Sequence, residues 1–302
     1  MDRDQRRGLR AAIVAYTLWG LLTLYWKQLV GLDAFELIGW RVSTAGIVMA
    51  LVVTVLGRWP SVVGALRNPS TLGRVTLASL LLTVNWTTYV WAVVNDRVIE
   101  TALGYFLAPL ATMALGVFVL GEQLTPLKRA SIGFAAVAVV VLTVSYGRMP
   151  WVALILAVTW SWYGLTKRRV PLDPIESLTS ELLVLFVPAA ALVGLGWFRS
   201  DGIPVDAAGV DWLLLGGTGA ITALPLLLFA FAAQRVPFTV LGPANYLVPL
   251  INFLLGWLVF DEPLPPSRIV GFGLVWIALV LVTVDTVRDR AAPERRRALP
   301  VR

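Results

Sequence analysis

Two charged residues lie inside long apolar stretches of this sequence, where a charge needs either a partner or a binding role. Arg41 lies in the apolar run 35–56, and Glu181 lies in the run 174–197. A charge at membrane depth costs at least about 2.5 kcal/mol on insertion scales, and it usually faces a partner or a water-filled cavity. The two residues could bind a solute, or they could form a structural Arg–Glu pair. The sequence leaves both interpretations open.

A second set of residues with binding chemistry consists of Trp, Tyr and Asn side chains within the apolar runs. Asn85 and Tyr89 are four residues apart and therefore share one face of a helix. An Asn inside a span either links helices by a hydrogen bond or lines a cavity. Tyr and Trp rings suit flat aromatic or cationic solutes, although any one Trp could instead pack or lie in an interfacial belt. The candidate solute-binding residues are Trp19, Arg41, Asn85, Tyr89, Tyr105, Trp160, Glu181, Asn245, Tyr246 and Asn252.

The segments that must position these residues form a repeat with an offset of 140 residues. Residues 104–144 align with residues 244–284 without a gap, and 14 of the 41 positions are identical. The identities include Pro109 and Pro249, which an apolar composition alone does not produce. Proline within a helix removes a hydrogen bond and kinks or breaks the helix. Interruptions at matching positions of two repeats point to a binding site, so both prolines are predicted hinges.

The composition indicates an all-α integral membrane protein. The chain has 302 residues, 58% of them apolar and 14% charged, whereas soluble domains carry about 25% charged residues. A helix needs about 20 apolar residues to cross a bilayer, and ten runs approach this length. They are residues 10–29, 35–56, 72–94, 98–120, 127–145, 151–166, 174–197, 212–233, 238–260 and 268–287. The runs are continuously apolar rather than alternating, which favours helices over a barrel.

The basic residues predict the topology of these ten spans. With the N-terminus in the cytoplasm, 19 of the 25 Lys and Arg residues fall on the cytoplasmic side, five on the outer side and one, Arg41, within a span. This asymmetry fits the positive-inside rule with both termini inside. The net charge of +7 is therefore a topology signal, and a nucleic-acid partner is not expected. The connection at residues 56–72 is interpreted as a cytoplasmic connector, and the basic C-terminal tail as disordered.

The repeat then predicts two inverted five-helix repeats. An odd number of spans makes the second copy enter the membrane from the opposite side, a design that allows alternating access. The predicted organisation is a cytoplasmic tail at residues 1–9, repeats at residues 10–146 and 147–287, and a basic cytoplasmic tail at residues 288–302. The cavity is expected at the interface of the repeats, lined by spans 1, 3, 4, 6, 8 and 9.

Several other charges have simpler interpretations at helix ends. Negative charge near a helix N-terminus is favourable, which accounts for Asp33, Glu36 and Glu100. A helix-end role is likewise favoured for Glu122 and its repeat equivalent Glu262. Lys27, near the end of span 1, is expected to reach the interface, and the same offset places it on Lys167. A proton route, if the chain has one, would need Lys27, Glu36, Glu100 or Glu181.

The absence of Cys and His narrows the chemistry. With neither residue in the chain, a disulfide, a thiolate metal site and the side chain that titrates nearest neutral pH are all excluded. No metal-ligand cluster or paired-carboxylate motif occurs, which disfavours an intramembrane enzyme. No metal and no cofactor are expected.

Some motifs resemble a known family. The pattern Gly121-Glu122 at the end of span 4, the run 85–95 with its Asn-Trp start, and the run 100–110 with Tyr105 and Pro109 are similar to the drug/metabolite transporter superfamily of EamA type, and within it to the RarD-like permeases. The resemblance extends from span 1 to span 10 and implies a permease of the bacterial inner membrane. The sequence departs from the family pattern at Ala108, at Asp96-Arg97 and at Asp261-Glu262, and these departures bear on the substrate.

The expected function is a secondary transporter that moves a small organic solute across the bacterial inner membrane by alternating access. Its expected partners are that small-molecule substrate and the lipid bilayer, and a homodimer is left open. Two alternatives stay open beside it. One is a non-transporting scaffold or sensor, which would have no need of an inverted repeat, and the other is a lipid flippase, which would need a lateral opening.

Overall fold

The computed structural model describes residues 3–30, 32–121, 125–196, 209–233, 235, 236, 241 and 244–297, and this part of the chain is helical throughout, without a strand. Its helices are α1 (Arg3–Lys27), α2 (Ala34–Val55), α3 (Trp59–Arg67), α4 (Pro69–Val94), α5 (Val98–Leu120), α6 (Pro126–Tyr146), α7 (Trp151–Lys167), α8 (Pro174–Gly196), α9 (Gly209–Ala233), α10 (Leu247–Leu258) and α11 (Pro266–Arg297). Among them, α1, α2, α4, α5, α6, α8, α9 and α11 are long and apolar enough to cross a membrane. The chain is a multi-pass membrane protein.

The helices differ from the predicted spans in several places, and α1 already begins at Arg3 rather than at residue 10. The predicted connector at residues 56–72 contains the helix α3. The last helix, α11, continues to Arg297, where the composition predicted a disordered tail. The predicted sixth and ninth spans correspond to α7 and α10, which have 17 and 12 residues and are shorter than the eight long helices. Part of the predicted ninth span and Glu122 lie outside the described residues.

The helix ends follow from local sequence. Asp33 caps α2 by accepting hydrogen bonds from the backbone N–H groups of Phe35 and Glu36 at 3.1 and 3.0 Å, which satisfies donors that a helix start leaves unpaired. Thr125 caps α6 in the same way, and Pro126 follows it in the first turn, where a missing N–H costs nothing. The apolar helices α2 and α6 therefore each begin at a polar cap.

The helices pack in pairs around one centre. The main pairs are α2 with α8 and α9, α6 with α11, α5 with α10, α1 with α9 and α10, and α7 with α4 and α5. A large buried cluster joins α1, α2, α4 and α8, and a second joins α5, α6, α7 and α11. This packing leaves α1, α2, α4, α5 and α7 to α10 facing a common interior.

Two acidic residues link separate helices at one end of the bundle. Glu262 accepts hydrogen bonds from the N–H groups of Val98 and Ile99, the latter at 2.9 Å, and so caps α5. Glu100 accepts from the N–H of Val152 at 3.2 Å at the start of α7. Burial raises the pKa of the Glu262 carboxyl above its ordinary value, and the two N–H groups oppose that shift. Glu262 therefore lies at a helix end, but the helix that it caps belongs to the other half of the chain.

The contact between α2 and α9 depends on a residue without a side chain. A Cβ atom added to Gly219 would lie 2.3 Å from the backbone carbonyl carbon of Thr44 and 2.5 Å from the nitrogen of Ala45. Backbone atoms cannot move aside as the end of a flexible side chain can. Small residues are what allow two helix backbones to approach closely in a membrane.

We predict that Gly219→Ala forces α2 and α9 apart and destabilises the protein by about 1–3 kcal/mol, the usual cost of overpacking. Gly216→Ala is the matched control, because a Cβ atom at Gly216 on the same helix meets nothing within 4 Å. Thermal unfolding in detergent should show a lower midpoint for Gly219→Ala alone. Equal midpoints for the two variants would contradict this account of the contact.

Candidate functional site

A central cavity of about 390 Å³ lies between the two halves of the chain. It is lined by side chains from α1, α2, α4, α5 and from α7 to α11. The lining residues are Trp19, Leu22, Arg41, Leu82, Trp86, Tyr89, Tyr105, Ala108, Pro109, Thr112, Met113, Trp160, Tyr163, Leu178, Leu226, Asn245, Val248, Pro249 and Val282. The cavity is therefore mostly apolar and aromatic, with a few polar groups that could orient a ligand, as is typical of small-molecule sites.

One wall of the cavity is a continuous row of aromatic rings. The ring centroids of Tyr89 and Tyr105 are 5.9 Å apart, those of Tyr105 and Trp160 are 6.2 Å apart, and those of Trp160 and Tyr163 are 5.7 Å apart. These tilted and edge-to-face arrangements are the ones that aromatic pairs prefer. The row joins α4, α5 and α7, so helices from both halves build one surface suited to a flat apolar group.

Arg41 is the charged residue of the lining, and its side chain is 4% exposed. Its Nε donates a hydrogen bond to Thr222 Oγ1 at 3.1 Å. The guanidinium carbon lies 4.0 Å from the ring centre of Trp86 and 5.2 Å from that of Trp26. The Nη1 group is buried and has no hydrogen-bond partner among the residues that the structure describes. The guanidinium is thus held by rings and one hydroxyl, and it keeps a donor unused.

Glu181 lies behind the cavity wall rather than on it. Its carboxylate forms an ion pair with Lys167 at 2.5 Å and accepts hydrogen bonds from Ser177 at 3.1 Å and from the Tyr163 hydroxyl at 3.0 Å. The Glu181 side chain is fully buried, whereas Lys167 is 23% exposed. Tyr163 lines the cavity, so one hydroxyl connects the cavity to a closed ion pair.

The polar residues beside the tyrosines position them. Asn85 donates from Nδ2 to the Leu156 carbonyl at 3.1 Å and to Thr159 at 2.9 Å, which joins α4 to α7. Its carbonyl oxygen accepts from the Tyr105 hydroxyl at 3.3 Å. Asn85 is fully buried, so it links helices and orients Tyr105 from behind.

A second buried amide supports Tyr89. The Tyr89 hydroxyl lies 2.8 Å from Thr23 Oγ1, which donates to Asn252 Oδ1 at 2.9 Å. This chain of hydrogen bonds runs from α4 through α1 to α10. Asn252 is itself fully buried, and it therefore holds the lining residue Tyr89 without belonging to the lining.

The structure places six of the ten candidate residues on the cavity lining. These are Trp19, Arg41, Tyr89, Tyr105, Trp160 and Asn245. The other four do not line it: Asn85, Glu181 and Asn252 stand behind the wall, and Tyr246 lies in a shallow groove against α11 with Trp276. Arg41 and Glu181 do not form the Arg–Glu pair that the sequence left open, since Glu181 is paired with Lys167.

Two cavity residues were not among the candidates. Trp86 stacks on Arg41, and Tyr163 connects the cavity to Glu181. The signal for Trp86 was its position beside Asn85, one residue further around the same helix. The signal for Tyr163 was its place one turn before Lys167, which the repeat relates to Lys27. Neither signal identifies a partner, because both partners lie on other helices.

Both predicted hinge prolines line the cavity, but their settings differ. Pro109 lies inside α5, which continues as one helix through it, so the helix is not broken there. Pro249 lies in the first turn of α10, where the missing N–H leaves no hydrogen bond unmade. The carbonyl before Pro109, that of Ala108, accepts hydrogen bonds from Thr112 at 2.9 Å and Ser161 at 3.1 Å.

Comparison with known proteins gives a consistent result. The EamA-like transporter family matches residues 6–144 and again residues 148–284. The chain is 43% identical over 289 residues to a protein named RarD from Streptomyces exfoliatus, covering 95% of this chain and 91% of that protein. It is 35% identical to the uncharacterized transporter YojE of Bacillus subtilis, covering 96% and 97%. A crystal structure with 22% identity aligns with a TM-score of 0.58 over 93% of this chain and 98% of that one, which shows a shared fold.

We predict that Glu181→Gln destabilises the protein by about 3 kcal/mol, because removal of one partner leaves a buried charge uncompensated. The loss should be at the lower end of the range for buried pairs, since Lys167 keeps some contact with solvent. Adding Lys167→Met should recover part of the loss by removing the second charge. Unfolding midpoints in detergent measure both effects.

The matched control is Asp173→Asn, which removes a more exposed ion pair with Arg58 near the start of the same helix. Exposed pairs contribute about 0–1 kcal/mol, so its midpoint should hardly move. A Glu181→Gln midpoint equal to that of Asp173→Asn would show that the buried pair is not needed for stability.

Proposed function

We propose that this chain, which belongs to the EamA-like transporter family and is a membrane transporter, moves a small organic solute across the bacterial inner membrane. The proposed mechanism is alternating access. The observation that carries the proposal is the aromatic cavity between the two halves. Residues of the first half, such as Tyr105 and Pro109, and residues of the second, such as Trp160 and Pro249, line the same space. Movement of one half against the other would therefore open and close it.

The proposed architecture is ten spans in two inverted repeats, at residues 10–146 and 147–287. The two successive family matches support a duplication. With an offset of 140 residues, α1, α2, α4, α5 and α6 correspond to α7, α8, α9, α10 and α11. Under this correspondence, the contact between α1 and α9 is equivalent to the contact between α7 and α4, and the contact between α5 and α7 is equivalent to that between α10 and α1. The remaining pairs, α2–α8, α5–α10 and α6–α11, each join a helix to its own repeat equivalent. This is the packing that a two-fold relation between the halves requires.

The two shorter helices complete the ten proposed spans. At 1.5 Å per residue, the 17 residues of α7 extend about 26 Å, close to the hydrocarbon thickness of about 30 Å. The 12 residues of α10 form the second part of the proposed span at 238–260. Five spans per repeat give the opposite entry of the second copy that alternating access uses.

The proposed orientation places both termini in the cytoplasm. The support is the excess of Lys and Arg on that side of the ten-span topology, 19 against five, which follows the positive-inside rule. The segments 1–9 and 288–302 are then cytoplasmic tails. The solute is small because the cavity holds only about 390 Å³.

We predict that filling the cavity stops transport without unfolding the protein. Leu226→Trp places a bulky ring into the cavity from α9, and it should abolish solute flux. Leu224→Trp is the matched control on the same helix, since Leu224 is 51% exposed on the outside of the bundle, and it should transport like the original chain.

The measurement is flux into proteoliposomes. A thermal-shift screen of aromatic carboxylates, aromatic amino acids, aromatic cations and neutral chloramphenicol first selects the solutes that stabilise the purified protein. Flux of a selected solute that Leu226→Trp abolishes and Leu224→Trp keeps would support the proposal. Absence of both stabilisation and flux across the panel, with the protein in either orientation, would contradict it.

A further inference from the structure

We propose that the solute carries a carboxylate, that Arg41 binds this group, and that an aromatic or otherwise apolar body of the solute lies on the wall formed by Tyr89, Tyr105, Trp160 and Tyr163. This inference rests on the proposed function, because it assigns the transported solute to the central cavity. It differs from the expectation raised by the aromatic residues alone, which suits cations as well as neutral rings.

Arg41 is costly to bury at its position in α2. The residue lies seven positions into α2, about 10 Å along the helix axis from its start, and it is 4% exposed. A guanidinium is charged at any physiological pH and carries five N–H donors. Stacking on Trp86 and Trp26 compensates part of the charge, but ring faces do not satisfy in-plane donors.

The Arg41 guanidinium has hydrogen-bonding capacity that is not used. Nε is satisfied by Thr222, whereas Nη1 is buried and meets no partner within the described ranges of the chain. A buried donor left unsatisfied costs about 1–3 kcal/mol, and more when it belongs to a charged group. A native protein tolerates such a cost where function needs the group, and this group belongs to a side chain that lines the cavity.

The cavity lining carries a positive charge at Arg41. Arg41 forms no ion pair within the described part of the chain, and Glu181, its equivalent in the repeat, is already paired with Lys167. Of the lining that the structure describes, the other 18 residues are uncharged. A cation in this space would meet an unscreened positive charge, whereas an anion would be attracted by it, and both effects are stronger in an apolar interior than in water.

The shape of the guanidinium and the apolar lining together favour one kind of anion. A planar guanidinium fork matches a carboxylate, which can accept two parallel N–H bonds. The rest of the lining is apolar and aromatic, so the body of the solute should be apolar as well. A monocarboxylate neutralises the single positive charge, whereas a group with two negative charges would leave one of them buried without a partner.

The test uses three solutes with one skeleton: 3-phenylpropionate, 3-phenylpropanamide and 3-phenylpropylammonium. We expect the carboxylate to stabilise the purified protein and to be transported in proteoliposomes, and the amide and the ammonium to do so at least tenfold more weakly. In Arg41→Gln, affinity for the carboxylate should fall about 10- to 100-fold, which corresponds to the loss of a charge-assisted hydrogen bond. The preference for the carboxylate over the amide should disappear with it.

Two further variants separate binding from structure. Arg41→Lys keeps the charge but loses the planar fork, so it should bind the carboxylate more weakly than the original chain and still prefer it to the ammonium. Arg74→Gln is the control for loss of a basic side chain, because Arg74 is exposed and bonds the Arg169 carbonyl. Its affinity for the carboxylate should be unchanged.

The wild-type comparison decides the matter even if Arg41→Gln fails to fold. If the amide or the ammonium binds as tightly as the carboxylate, the inference is overturned. It is also overturned if all three fail while the screen finds a neutral or cationic solute that is transported, and in that case the proposed transport function stands. Absence of any transported solute removes the proposed function, and this inference falls with it.

Discussion

The arrangement of the cavity depends on the cost of holding a guanidinium inside the membrane. On insertion scales this cost is about 2.5–3.5 kcal/mol at the centre of a span. The protein offsets it with the indole rings of Trp26 and Trp86 and with the Thr222 hydroxyl. These partners lie on α1, α4 and α9, so one side chain of α2 holds four helices around the cavity. Further back, Asn85 and Asn252 hold Tyr105 and Tyr89 in place by hydrogen bonds. These polar contacts therefore surround the space where the two halves meet.

The two halves share a repeat but divide the chemistry unequally. The same offset relates Arg41 to Glu181 and Lys27 to Lys167. In the second half, Lys167 and Glu181 neutralise each other behind the wall. In the first half, Lys27 pairs instead with Asp96 at the end of the bundle, and Arg41 forms no ion pair among the described residues. Equivalent positions of the repeat thus hold a buried Lys167–Glu181 ion pair behind the wall in the second half and a cavity-lining Arg41 in the first half. Among the described lining residues, Arg41 is the one that carries a charge, and this asymmetry between the halves underlies the proposed match to an anionic solute.

Much of this organisation could be predicted from the sequence, since apolar run length and the repeat reflect strong constraints of the bilayer. The repeat also identified the two prolines and, with the aromatic residues, six lining residues. The sequence could not show which of Asn85 and Tyr89 lines the cavity, because both lie on one face of α4. Only the packing of α7 against α4 decides that Asn85 is covered. Tyr246 was assigned to the cavity together with Asn245, but the two residues lie in the turn before α10, and of the two only Asn245 lines the cavity. Trp86 was missed because its partner Arg41 lies on another helix. The helix α3 was not predicted because hydropathy marks apolar runs rather than short helices between them.

The central claim is that the cavity opens alternately to the two sides of the membrane, and the chain offers a direct way to measure it. The sequence contains no Cys, so a single Met113→Cys variant places the only thiol of the protein on the cavity lining. In oriented membranes, a membrane-impermeant thiol reagent is added from one side at a time, with Asp261→Cys as a control for a position exposed at one end of the bundle. The account predicts that the cavity thiol reacts from both sides and that a saturating transported solute slows both reactions, whereas the control reacts from one side only. A cavity thiol that reacts from one side alone, with and without solute, would contradict alternating access.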